Sequence, residues 1–216
     1  MAFDAYDDYE QSERVQQWLR QNGLSIVVGI VIGLVAIFGW QQWRKHQANH
    51  QAAAAQLYQD VRAAQAGGQT DQANALTNQL MKDYADSPYA LFAVTDRAVQ
   101  DVRANHLDKA LVSLEWAQGH APNGLLKALT ELRIARVQLA QGHADKTLST
   151  LDQMPSTDYT AVAQELRGDA LVKLNRPDDA RKAYLAAKAA LGKSEMQGGD
   201  LQMKIDDLAT AGKQGA

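Results

Sequence analysis

From Gln21 to Trp43 the chain carries no charged residue, and the centre of this stretch, Leu24 to Trp40, reads LSIVVGIVIGLVAIFGW. Nothing else in the sequence limits the fold as tightly. At about 1.5 Å of rise per residue, a helix of this length crosses an apolar layer of about 30 Å. It has no polar face, so the core of a soluble protein accommodates it poorly. Trp40 and Trp43 stand at its end and Arg44 and Lys45 follow, the pattern of an interfacial aromatic belt with snorkelling cations. A cleaved signal peptide fits less well. The stretch is longer than the apolar region of such peptides, WRK follows it, and the Ala52/Ala54 pair lies too far downstream for a cleavage site. The segment reads as an uncleaved anchor over residues 23–43.

Orientation is not decided by these residues. Arg14 and Arg20 precede the span and Arg44 and Lys45 follow it, two cations on each side. The acidic cluster Asp4, Asp7, Asp8 and Glu10 counts for little under the positive-inside rule. Ser25, Gly29 and Gly33 form a small-residue stripe that lets helices approach in lipid, although glycine is common in membrane helices in any case. Before the span, Val15, Trp18 and Leu19 share one helical face, and Asn22-Gly23 is a helix-stop signal. A short interfacial helix over 12–22 is expected within a tail of residues 1–22, the alternative being an irregular tail with a fortuitous pattern.

Beyond Arg44 the chain repeats. Pro88, Pro122 and Pro155 are 34 and 33 residues apart, and each is expected to begin a helix, with Ser87-Pro88 as N-cap and first position. A period near 34 is that of the helix-turn-helix unit of tetratricopeptide repeats. The turns agree: NHLDKALVSL (Asn105 to Leu114), GHADKTLSTL (Gly142 to Leu151) and NRPDDARKAY (Asn175 to Tyr184) align. Asn or Gly opens each turn because both tolerate left-handed backbone. Asp then favours the positive end of the second helix. A small residue on the first helix (Ala98, Ala135, Gly168) precedes by twelve a small residue on the second (Ala110, Thr147, Ala180). A large one follows four later (Leu114, Leu151, Tyr184).

A degenerate first unit is expected ahead of these. Asp71 and Ala73 fit the frame, and a helix from His46 to Ala66 would present Ala54, Leu57, Tyr58 and Val61 on one face before stopping at Gly67-Gly68. That helix continues from the span and would tie the repeats stiffly to the bilayer. Ser194 to Gly199 reads as a loop, and Asp200 to Leu208 as a capping helix with Leu201, Ile205 and Leu208 inward. The fold class is therefore all-α: one transmembrane helix, then an α-solenoid of three to four helix pairs over 44–209 with a terminal cap. Residues 210–216 are expected to be a disordered tail.

The residues offer little chemistry. Without cysteine, disulfides, zinc-thiolate sites and thiol catalysis are excluded. A net charge of −3 argues against a dedicated nucleic-acid binder. His46 and His50 are four apart, as two metal ligands would be, but lack an intervening glutamate and a third ligand. His106 and His143 occupy equivalent turn positions and read as turn residues. Asp178-Asp179 belongs to a helix start, since adjacent helical residues do not face each other. Arg133 and Arg136, three apart, have the spacing to bind a partner's carboxylate, but surface salt bridges within the chain are the stronger expectation. No phosphate loop or nucleophile elbow occurs. The sequence thus names no catalytic, cofactor-binding or metal residue, no cofactor, and no individual partner-contact residue.

Four segments carry a family resemblance: NGLSIVVGIVIGLVAIFGWQQWRKHQ (Asn22 to Gln47), LRIARVQLAQGHADKTLSTLD (Leu132 to Asp152), LRGDALVKLNRPDDARKAY (Leu166 to Tyr184) and QMKIDDL (Gln202 to Leu208). On these the chain resembles the YfgM-type ancillary subunits of the SecYEG translocation channel, over nearly its whole length and in the same order. The resemblance implies a bacterial inner-membrane protein with a cytoplasmic N-terminus and a periplasmic repeat domain. It implies association with the SecYEG translocon and with a membrane-anchored periplasmic prolyl-isomerase-like chaperone, and transfer of client polypeptides to chaperones. A stress-regulator contact attributed to the family's cytoplasmic tail carries over weakly, because the tail here diverges. The leading expectation is a non-catalytic scaffold. The alternatives are an architectural protein of envelope assembly or cell division, and a membrane-bound enzyme.

Overall fold

The computed structural model describes residues 4–154, 159–191 and 198–214. Those residues are helical apart from short turns: α1 Asp4–Ala66, α2 Thr70–Asp83, α3 Pro88–Arg103, α4 Leu107–Gly119, α5 Gly124–Ala140, α6 Ala144–Gln153, α7 Thr160–Lys173, α8 Pro177–Leu191 and α9 Gly198–Gln214. The chain divides into two compact units, Met1–Ala53 and Ala54–Ala216.

In the first unit α1 is unbroken through Asn22-Gly23, contrary to the expected stop. Such a stop needs a residue with positive φ, and Gly23 does not take one. Asn22 instead donates its side-chain amide to the carbonyl of Trp18 at 3.0 Å, one turn back within the helix. The apolar stretch has its side chains outward: Leu24, Ile32, Val35 and Phe38 are all exposed. The helix is long and apolar enough to cross a membrane. The Trp40 and Trp43 rings lie 5.3 Å apart, tilted by 41°.

The second unit is a row of helix pairs. Neighbours in sequence are neighbours in space: α2 packs on α3, α3 on α4, and so on to α9. The core is correspondingly a series of small clusters rather than one centre. Ala54, Val61, Leu80, Ala90 and Ala93 join the end of α1 to α2 and α3. Ala98, Ala110, Leu114, Ile134 and Val137 join α3 and α4 to α5. Leu132, Ala135, Leu151 and Leu166 link α5, α6 and α7. Such nearest-neighbour burial is the energetic signature of a repeat array.

One turn is made four times. Gly68, Asn105, Gly142 and Asn175 all have positive φ, between 56° and 82°. The next residue in each case returns its N–H to a carbonyl five residues back: Gln69 to Ala64 at 2.9 Å, His106 to Asp101 at 2.7 Å, His143 to Gln138 at 2.9 Å and Arg176 to Leu171 at 2.9 Å. This is the Schellman arrangement, which satisfies carbonyls that a helix end leaves free. The same residue's carbonyl then accepts the first bond of the following helix, from Ala73, Ala110, Thr147 or Ala180. The small residue of the second helix is thus placed by the turn itself.

All nine residues of the small-small-large frame are buried. The degenerate first unit is present and explains its own irregularity. Val61 stands where the other units have a small residue and Thr77 where they have a large one, and both are fully buried. Bulk has moved from the second helix to the first. Thr147 is polar in an apolar seat, and its hydroxyl donates to the carbonyls of His143 at 3.1 Å and Ala135 at 3.3 Å.

The prolines mark units less regularly than their spacing predicts. Pro88 is at the start of α3, with Ser87 accepting from the N–H of Tyr89 at 3.2 Å. Pro122 is not: α5 begins at Gly124, and Asn123 caps it by accepting from the N–H of Leu126 at 2.9 Å. A strong capping side chain has displaced the boundary by two residues. Pro155 lies outside the described residues. At the far end, Leu201 and Ile205 of α9 are buried against Leu171, Tyr184 and Ala187, with Leu208 packed beside them. α9 continues to Gln214, past the expected start of the tail at residue 210. Part of the expected loop at 194–199 lies outside the described residues.

Candidate functional site

The repeat frame also builds a groove. Ala98 and Leu114, buried in one cluster, both line a depression of about 370 Å³ between α3 and α5. On α3 it is lined by Thr95, Ala98, Val99, Val102 and Arg103, on α4 by Leu107 and Leu114, and on α5 by Arg133, Arg136, Val137 and Ala140. The spacing explains the lining. On α5, positions 133, 136, 137 and 140 fall on one helical face, as do 95, 98, 99 and 102 on α3. Val99 and Val102 remain 39% and 42% exposed although Ala98, Leu114 and Val137 in the floor are buried. Three guanidinium groups border this apolar floor, and among the described residues no carboxylate lines it.

The arginines elsewhere in the repeat unit make the contrast clear. Arg97 donates to Asn78 at 2.8 Å and Ser113 at 3.2 Å. Arg167 pairs with Asp152 at 2.6 Å and Arg176 with Asp179 at 2.7 Å. Arg103, Arg133 and Arg136 have no hydrogen-bond or ion-pair partner among the described residues. The expected surface salt bridges of Arg133 and Arg136 are therefore not formed among the described residues. Helix spacing alone brought two of these arginines together. The third, Arg103, joins them only because α3 and α5 both pack on α4, which leaves no local sequence signal.

Across α3 a second depression, of about 360 Å³, is lined by Arg62, Gln65, Ala66, Asp96, Val99, Gln100 and Arg103. Its charge is internally matched. Asp96 accepts from the Tyr58 hydroxyl at 2.8 Å and lies 3.6 Å from Arg62. Burial, and then the bond to Asp96, raise the Tyr58 pKa above its ordinary value. Tyr58, Tyr89 and Phe92 form an aromatic cluster beside it, with centroids 6.0 to 6.3 Å apart.

The other residues singled out in the sequence do not converge. His106 and His143 are the residues that close the Schellman turns and stand as the N-cap positions immediately before α4 and α6. Asp179 accepts from Arg176 and Lys182 at the start of α8, and those two bonds hold its carboxyl below the usual carboxylate range. Asp178 is exposed beside it. His46 and His50 lie one turn apart on α1, and no group of three or more potential metal ligands occurs among the described residues. Glu131 is buried on α5 and accepts from Gln118 at 3.0 Å.

Comparison with known proteins adds the following. A family described as "Tetratricopeptide repeat-like domain" matches residues 16–210. A protein of Escherichia coli (strain K12) named "Ancillary SecYEG translocon subunit" is 31% identical, covering 94% of this chain and 97% of its own length. The protein of that name from Haemophilus influenzae is 28% identical over 96% of this chain and all of its own length. That from Neisseria gonorrhoeae is 24% identical over 94% and 97%.

Proposed function

From the membership of this chain in the tetratricopeptide repeat-like family of ancillary SecYEG translocon subunits, we propose that it is a non-catalytic scaffold anchored in the bacterial inner membrane beside the translocation channel. Its α1 segment is the anchor, its N-terminal tail is cytoplasmic, and its repeat domain is periplasmic. There the repeats bind a membrane-anchored prolyl-isomerase-like chaperone or client polypeptides. The match of relatives along nearly the full chain carries this reading, because anchor and repeats are matched together. The exposed apolar face of α1 supports the anchor. A groove with apolar side chains and cations unpaired among the described residues supports polypeptide binding over a spacer role.

The test is gentle detergent extraction of native membranes, purification through a C-terminal tag, and mass spectrometry of stoichiometric partners. Translocon subunits recovered with a periplasmic chaperone are the expected result. Recovery of neither, with the tag intact, removes the translocon reading and leaves an architectural repeat scaffold.

A further inference from the structure

We infer that the groove between α3 and α5 is a recognition site for a polypeptide segment that combines apolar side chains with carboxylates. The inference deepens the proposed scaffold function by assigning its ligand chemistry, and rests on that reading only for where the segment comes from.

The argument starts from what the groove contains. Val99 and Val102 leave apolar area in water at its floor. Arg103, Arg133 and Arg136 border that floor, none of them paired among the described residues. An arginine whose purpose is to solubilise a helix face has no need of an acid-free, apolar surround. An arginine placed to bind needs that surround, because an apolar floor lowers the local dielectric and strengthens a charge-assisted bond once water is displaced. The planar guanidinium fork matches a carboxylate in two bonds. The chemistry required of the occupant follows. It must be apolar to cover the valines and anionic to satisfy the arginines. An acidic, leucine- or valine-bearing peptide does both.

The neighbouring depression serves as an internal control. It shares Val99 and Arg103, but its Asp96 is already held by Arg62 and Tyr58. Among the described residues a like carboxylate is missing from the α3–α5 groove, and the partner is expected to supply it.

The experiment uses the full chain in nanodiscs of phosphatidylcholine and a short fluorescein-labelled peptide of alternating leucine and aspartate, read by anisotropy. The same peptide with aspartate replaced by asparagine is expected to bind about tenfold more weakly, and the gap to close with added salt. The double substitution Arg133→Gln/Arg136→Gln is expected to weaken the aspartate peptide by about tenfold and the asparagine peptide much less, with an unchanged melting curve. Val99→Asn is expected to weaken both peptides alike. Equal binding of the two peptides by the unaltered chain overturns the inference without recourse to any variant. Two further results also overturn it: displacement by glycerol phosphate at lower concentration than by unlabelled peptide, which assigns the arginines to lipid headgroups, and a dimer in detergent that the double substitution dissociates, which assigns them to a second copy. Co-purification separates the two proposals. Failure of the unaltered chain to recover translocon subunits removes the translocon reading and leaves the peptide measurement standing.

Discussion

At the residue scale, the packing code of the array is clearest where it is most compressed. Gly168 takes the small place on α7 and Tyr184 the large place on α8. A Cβ on Gly168 would fall on the Tyr184 ring, 2.8 Å from its Cζ and nearer still to two other ring carbons. The ring has little room to yield, because its hydroxyl is tied to Asp169 at 2.8 Å. Gly168→Ala is therefore expected to destabilise the domain by about 1–3 kcal/mol, as overpacking does. The other units tolerate alanine at this place because leucine faces it: Ala98 with Leu114, and Ala135 with Leu151. Gly168→Ala combined with Tyr184→Leu is accordingly expected to lose less than the two single changes added together. A denaturant-melting cycle measures this, and strict additivity would show that the two residues are not coupled. The frame itself was legible in the sequence, since turn, small and large residues recur at fixed offsets. The reason for glycine in this one unit was not, because it depends on the width of the opposing ring.

At the scale of elements, boundaries set by turn chemistry were readable and those set by competing caps were not. Asn or Gly at the head of each aligned segment announced the Schellman turns. Pro122 misled because Asn123 offers the better cap. Asn22-Gly23 misled because a stop signal acts only if the chain leaves the helix there, and α1 continues. The groove was half readable, through the spacing of Arg133 and Arg136, and the missing half was the placing of α3 beside α5 by their common packing on α4. The capping helix α9, whose inward residues were foreseen, is held by more than apolar packing. Lys204 donates to Glu165 at 2.7 Å and Asp169 at 2.8 Å on α7, and its ammonium lies 5.6 Å from the centre of the Tyr184 ring on α8.

Burial opposes the charge on Lys204, but the bonds to Asp169 and Glu165 outweigh it and raise its pKa above 10.5. Burial, then the bond to Asp169, likewise push the Tyr184 phenol well above 10.0. Both folded values exceed the unfolded ones, so the stability they contribute is complete below about pH 10 and is lost as pH rises through the folded values. The melting temperature of the intact chain is expected to decline above about pH 10. Lys204→Met is expected to be less stable near neutral pH, by no more than about 1 kcal/mol because the pair is a third exposed and screened by water. Its alkaline decline is expected to be shallower, and Tyr184→Phe shallower again in its own part. Curves that run parallel for all three chains would show that this cluster plays no part in the alkaline transition.

For the whole molecule, the unresolved choice in the sequence is which side of the membrane each part occupies. Arg14 and Arg20 balance Arg44 and Lys45 in number, so local charge does not order the two ends of the span. The proposed placement of the tail in the cytoplasm and the repeats in the periplasm rests on the translocon reading and is open to direct measurement. The absence of cysteine makes that measurement clean, because any thiol introduced is the only one present. Ser149 is an exposed residue of α6 and Ser12 lies in the tail before the span. With the outer membrane permeabilised and the inner membrane intact, a membrane-impermeant maleimide is expected to label the Ser149→Cys chain. Ser12→Cys is expected to react only after the inner membrane is opened. The reverse pattern would put the repeats in the cytoplasm and remove a periplasmic chaperone from the possible partners. It would leave the groove and its chemistry unchanged, because these depend on how α3 and α5 pack on α4 and not on which compartment surrounds them.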